Sequence, residues 1–149
     1  MKKIGTCLTL RGEVGPQVNG YKINLFDGRF DTGYKIEEFQ ILPPVPTSST
    51  EIFAKLFTST SSSSISAIQM GNNQELAWSL WNGPTSSRNT QWGLIDEDNL
   101  IIEDLYLSNY LPQSEDIEVQ YYIKVQKYQL STWDGALTMV TNLSQGGPQ

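Results

Sequence analysis

Hydrophobic residues recur at every second position over short spans, and turn-forming residues separate the spans. Ile117, Val119, Tyr121, Ile123 and Val125 alternate with Glu118, Gln120, Tyr122, Lys124 and Gln126. Successive side chains of a strand point to opposite faces, so this is a half-buried antiparallel strand with one wet face. Tyr21, Ile23 and Leu25 alternate in the same way, and Asp27-Gly28 after them offers a tight turn. Leu100 to Asn109 is mostly apolar at both parities, the pattern of a central strand covered on both sides. Tyr34 to Leu42 reads as another strand, but Ile36 and Ile41 fall on opposite parities. A bulge, or burial of both faces, reconciles them. Ile4 to Val14 reads as a strand or extended arm that Gly15-Pro16 breaks. Ile52–Phe57, Ile65–Met70 and Leu76–Trp81 add extended apolar stretches, the last ended by Asn82-Gly83-Pro84, and a Ser/Asn loop leads on to Trp92 and Leu94.

The connectors are polar. Pro43 to Thr50 is rich in Pro, Ser and Thr, and Thr58 to Ser64 holds only Ser and Thr, so a surface loop is expected there. The period changes near the end. Ala136, Leu137, Val140 and Leu143 fall on one helical side with Met139 beside them, which predicts a short amphipathic helix over Thr132–Ser144. About eight or nine short strands predict an all-β fold, an antiparallel β-sandwich or jelly roll with a short C-terminal helix. A closed barrel is the runner-up. The 149 residues suit one domain, 1–149, with an N-terminal strand or arm (1–14) and a helical tail (132–149).

Composition removes whole chemistries. The chain has no His, so a Ser-His-Asp or Cys-His nucleophile and a His-ligated metal are excluded within it. The single Cys, Cys7, forms no internal disulfide or CxxC pair, and its apolar run marks it as a small buried hydrophobe. Net charge is −6, unevenly spread: residues 1–93 hold seven acids and eight bases, residues 94–149 nine acids and two bases. Such a surface repels phosphate, so no nucleic-acid role is expected; it serves as a solvated face or meets a basic partner. No span is long and apolar enough to cross a bilayer, so no membrane role is expected. The opening MKKIGTCLTLRGEV lacks a cleavable leader pattern, which points to a chain kept or assembled in a reducing compartment.

Candidate chemistry is sparse. Asp96-Glu97-Asp98-Asn99 resembles half a calcium loop but lacks the Gly and Glu that complete one; a turn with local hydrogen bonds explains the same residues. Glu75, Glu103, Asp104 and Asp134 are the acids from which a glycosidase pair would be drawn. Trp78, Trp81, Trp92 and Trp133 offer aromatic surface for stacking on sugars, or for core and interface packing. No metal and no cofactor are expected.

Four segments, KINLFDGRFDTGYKI (22–36), ELAWSLWNG (75–83), DEDNLIIEDLYLSNY (96–110) and YYIKVQKYQLSTWDGALTMVTNLSQG (121–146), together resemble small virion structural proteins of tailed bacteriophages, particularly marine ones. The resemblance implies a β-rich accessory protein coating the capsid, or one belonging to the tail, and it brings no active-site residue. The expectation is a non-enzymatic capsid decoration (cement) protein, made in the host cytoplasm and bound on the capsid surface to the major capsid protein and to neighbouring copies, a homo-oligomer or a shared shell contact. Lys2, Lys3, Ile4, Leu8 and Arg11 of the arm and Trp133, Leu137, Met139 and Val140 of the tail are the expected contacts, because apolar residues so close to the termini need a partner to cover them. A carbohydrate-binding module for host attachment is the alternative from a different class.

Overall fold

The computed structural model describes residues 2–26, 28–29, 31–45, 50–58, 71, 74–85, 88–113 and 116–131. Nine strands run through them: β1 (Lys2–Lys3), β2 (Leu8–Val14), β3 (Tyr21–Ile23), β4 (Thr32–Leu42), β5 (Glu51–Phe57), β6 (Glu75–Thr85), β7 (Arg88–Ile95), β8 (Leu105–Tyr110) and β9 (Val119–Gln129). The described residues contain no helix, and so none long and apolar enough to cross a membrane. The expected tail helix, the stretch 65–70 and the contacts Trp133, Leu137, Met139 and Val140 lie outside the described residues.

The strands form two antiparallel sheets, a β-sandwich. In the four-stranded sheet β9 is central, with β4 along one edge and β1 then β2 along the other. The five-stranded sheet has the order β3-β8-β5-β6-β7. The pairs are nested, β2 with β9, β3 with β8 and β5 with β6, as in a hairpin-like chain rolled into two sheets, the jelly-roll scheme. The fourth nested pair would be β4 with β7. Here β7 ladders on β6 instead, yet stays beside β4: a Cβ on Gly93 would lie 3.6 Å from the Phe39 carbonyl.

The core lies between the sheets. Val14, Ile36, Phe39, Ile41, Val119, Ile123 and Val125 of the first meet Ile52, Ala54, Leu56, Ala77, Trp81, Leu105 and Leu107 of the second. Each large aliphatic or aromatic side chain buried here contributes about 1.5–3 kcal/mol. The parity conflict in β4 resolves as a bulge. The register shifts between Ile36 and Glu38, and the extra residue, Glu37, brings Ile36, Phe39 and Ile41 onto the same buried side.

Three boundaries differ from the sequence expectation. Leu100–Asn109 is a strand only from Leu105. Ile101 instead makes an isolated bridge to Tyr34, with both N···O distances 2.8 Å, so Ile101 and Ile102 are buried without a continuous ladder. Burial on both faces mimics a strand pattern in a connection that leaves β7, touches β4 at Tyr34 and returns to β8. Second, β6 does not stop at Asn82-Gly83-Pro84. A register shift between Asn82 and Thr85 takes in the proline, and the Gly83 N–H donates to the Thr50 carbonyl at 2.9 Å. Third, the wet-faced strand starts at Val119 and runs to Gln129, because β4 and β1 give its far end partners.

Candidate functional site

The N-terminal arm is an edge strand with an interruption. Lys3 pairs with Tyr128 and Leu8 with Val125, so Ile4–Cys7 bulges out opposite Gln126 and Lys127. Gly5 takes a left-handed φ of 64° there, which a residue without a Cβ adopts at little cost. The buried Gln126 side chain fills the bulge. Its amide donates to the carbonyls of Ile4 (3.3 Å), Gly5 (3.4 Å) and Lys127 (3.0 Å), and its oxygen accepts from the Cys7 thiol at 3.3 Å. Cys7 is therefore half-exposed and hydrogen-bonded, not the buried hydrophobe expected.

Among the described strands β2 ladders on β9 alone, so its other edge presents backbone donors and acceptors outward. Leu8 is 46% exposed although its register places it on the apolar side. Lys2 and Lys3 are exposed, Ile4 is half-buried, and Arg11 is exposed on the outer face of the sheet.

That outer face holds a groove of about 500 Å³ across the middle of the sheet, lined by residues of β2, β9 and β4. Tyr122 is central, with Arg11 opposite it on β2 and Gln40 opposite it on β4; one step along, Gln120 lies between Glu13 and Leu42. The Gln120 amide donates to Glu13 Oε1 at 3.3 Å. At this end Glu13 also adjoins Glu118. Hydrogen bonds from the Glu118 carboxyl and from Gln120 hold the Glu13 carboxyl below its ordinary range, and the same contact with Glu13 pushes Glu118 up.

Beneath the groove, the Tyr121 ring passes over Gly12. A Cβ at Gly12 would lie 2.6 Å from the Tyr121 hydroxyl. Its absence lets the Tyr121 ring lie across β2 and meet Tyr21, with centroids 6.2 Å apart. Burial, with the Tyr21 phenol adding to it, raises the Tyr121 phenol above its ordinary range.

Residues singled out from the sequence as sugar stackers or acids are placed elsewhere. Trp78 and Trp81 are 7% and 4% exposed and point to opposite faces of β6; they pack inside and form no sugar platform. Trp81 joins the core, and the Trp78 indole N–H donates to Glu75 at 3.1 Å. Glu75 is ion-paired with Lys55 at 3.4 Å, both buried. Burial pulls the Lys55 ammonium below its ordinary range, and the Glu75 carboxylate opposes that pull. Burial also acts on Asp104, but the backbone N–H groups of Phe26 and Leu25 and the Lys22 ammonium outweigh it and hold its carboxyl low. Asp96 forms the local turn, accepting from the Asp98 N–H at 3.3 Å and from the Asn99 amide. Glu103 is exposed, and Asp134 and the Trp92 side chain lie outside what is described. Among the described residues no three His, Cys, Asp or Glu side chains converge as a metal site.

The groove residues Tyr122, Gln40, Gln120 and Glu13 were not among the sequence candidates. Their signal was present: Tyr122 is an aromatic on the wet parity of the 117–125 pattern. What the sequence lacked was the register that sets Arg11 and Gln40 on either side of it. Compared with family models, with curated proteins and with solved structures, the chain matches none.

Proposed function

We propose that this chain is a non-enzymatic virion structural protein of the capsid-decoration class, which binds assembled major capsid protein through its N-terminal arm and bridges neighbouring subunits. The observation that carries this reading is the arm itself. An exposed strand edge, an exposed Leu8 and the cations Lys2 and Lys3 lie together at one corner of the sandwich. Strand edges recruit extended segments of partners through main-chain hydrogen bonds, with side chains supplying specificity. Gln126 holds the arm in place, which lowers the ordering cost on docking. The resemblance of the four segments to phage virion proteins points the same way, and jelly-roll domains recur in viral shells, an argument by analogy. Modest affinity per contact suffices, because bridging two shell subunits makes the second contact intramolecular. In this reading the chain is made in the host cytoplasm and ends on the capsid surface, where the acidic segment from Asp96 to Glu118 meets a basic shell patch or faces solvent.

The test is location and copy number in purified particles, by quantitative mass spectrometry and averaged particle images. Many copies in the symmetry of the shell are expected. A few copies at one vertex assign the protein to the tail, and absence from particles overturns the reading. Leu8→Glu should leave the isolated fold intact and reduce capsid occupancy at least about tenfold; unchanged occupancy removes the arm as the contact.

A further inference from the structure

The groove opens on the outer face of the four-stranded sheet; it shares Arg11, Gly12 and Glu13 with β2, but the backbone edge of that strand can dock without filling it. Its volume of about 500 Å³ falls within the roughly 300–1,000 Å³ of small-ligand sites. Its composition narrows the ligand. Arg11 supplies donors, Glu13 supplies acceptors, and the carboxamides of Gln40 and Gln120 supply both, around a half-buried tyrosine. Leu42 and the tyrosines add apolar surface among these polar groups, so the lining suits a ligand with both polar and apolar faces. Arg11 and Glu13 balance in charge, and Glu118 stands beside Glu13, which disfavours phosphate and other anions. Donors and acceptors spaced along a strand ladder, with one aromatic face among them, match a chain of hydroxyl groups whose ring carries an apolar C–H face.

We propose that the groove formed by Arg11, Glu13, Gln40, Gln120 and Tyr122 binds a neutral oligosaccharide, with one sugar ring against Tyr122 and its hydroxyls on the flanking polar side chains. The sandwich supplies rigidity. Tyr122 and Gln120 sit on the central strand with hydrogen-bonded neighbours on both sides, so the site is largely formed before the ligand arrives. The site would let the protein hold surface glycan, and this is independent of where the protein sits in a particle.

The experiment uses the full chain and a panel of neutral tetrasaccharides: maltotetraose, cellotetraose, mannotetraose, laminaritetraose and chitotetraose. Saturation-transfer NMR and calorimetry read binding. At least one sugar should bind, with Tyr122→Ala and Gln40→Ala each weakening it at least about tenfold, the scale of a lost stacking or buried polar contact. Thermal unfolding shows whether each variant keeps its fold; should Tyr122→Ala unfold, Gln40→Ala on the exposed rim decides alone. Phe26→Ala, at an exposed aromatic outside the groove, should leave affinity unchanged. No binding across the panel at millimolar sugar overturns the proposal, and so does binding that the groove variants leave intact.

Discussion

The two sheets use the same strand geometry for opposite purposes. In the five-stranded sheet, β5 is buried from Ile52 to Phe57 on both faces. One face joins the core. The other carries Phe53, Lys55, Phe57 and Trp78, with Phe57 stacked on Tyr106 at 5.9 Å and the Lys55–Glu75 pair enclosed. In the four-stranded sheet, β9 is buried only at alternate positions over its first half, and its other face holds Gln120, Tyr122 and Lys124, all half-exposed. A strand buried on both faces offers stability and no contact surface; a strand buried on one face keeps a surface that can recognise something. The groove and the arm both belong to the second kind.

The largest stability losses are expected in the five-stranded sheet. Lys55→Ala leaves the buried Glu75 carboxylate without its cation and should cost about 3–5 kcal/mol, measured by urea unfolding. The double replacement Lys55→Met with Glu75→Leu should recover most of that loss, because desolvation of both charges disappears with them. A small effect of Lys55→Ala would mean that this face is wet and that the contrast between the sheets fails.

A smaller effect is expected at the arm. Gln126→Leu removes the donor to Ile4 and Gly5, whose carbonyls can turn to water at this exposed edge. A loss of about 1 kcal/mol is expected, with faster amide exchange at Ile4, whose N–H otherwise donates to Lys127 at 3.0 Å. Equal exchange in both proteins would show that the arm is held by its ladder alone.

The smallest effect is in acid. Asp104 ties the segment before β8 to β3 and the residues that follow β3, and its carboxyl is held below the ordinary 3.8. Its contribution is therefore fully present above that value and declines as pH falls through the lower folded-state value. In Asp104→Asn, unfolding free energy should be lower than wild type at neutral pH, and the gap should narrow below about pH 4. A constant gap would assign the effect to shape rather than charge.

Much of the architecture was legible from the chain. The alternation at 117–125, the parity conflict within Tyr34–Leu42 and the turn at Asp96–Asn99 each emerge as expected, because each is set by residues within a few positions of one another. The groove was illegible for the opposite reason. Arg11, Gln40 and Tyr122 come from three strands far apart in the chain, and their meeting depends on registers that are fixed only when the apolar faces pack. Trp78 and Trp81, whose spacing of three suits opposite faces of a strand, are both covered, but an aromatic's identity does not say which side of a sheet will be covered.

Local chemistry, then, determined the strand content, the bulge, the turns and the absence of histidine-based catalysis, since alternation and composition act without reference to distant residues. Only the tertiary structure decided which faces were wet, that Lys55 and Glu75 would be enclosed together, and that a tyrosine on the central strand would lie between an arginine and a glutamine. Burial is a property of two surfaces meeting, and a single chain read in order specifies only one of them at a time.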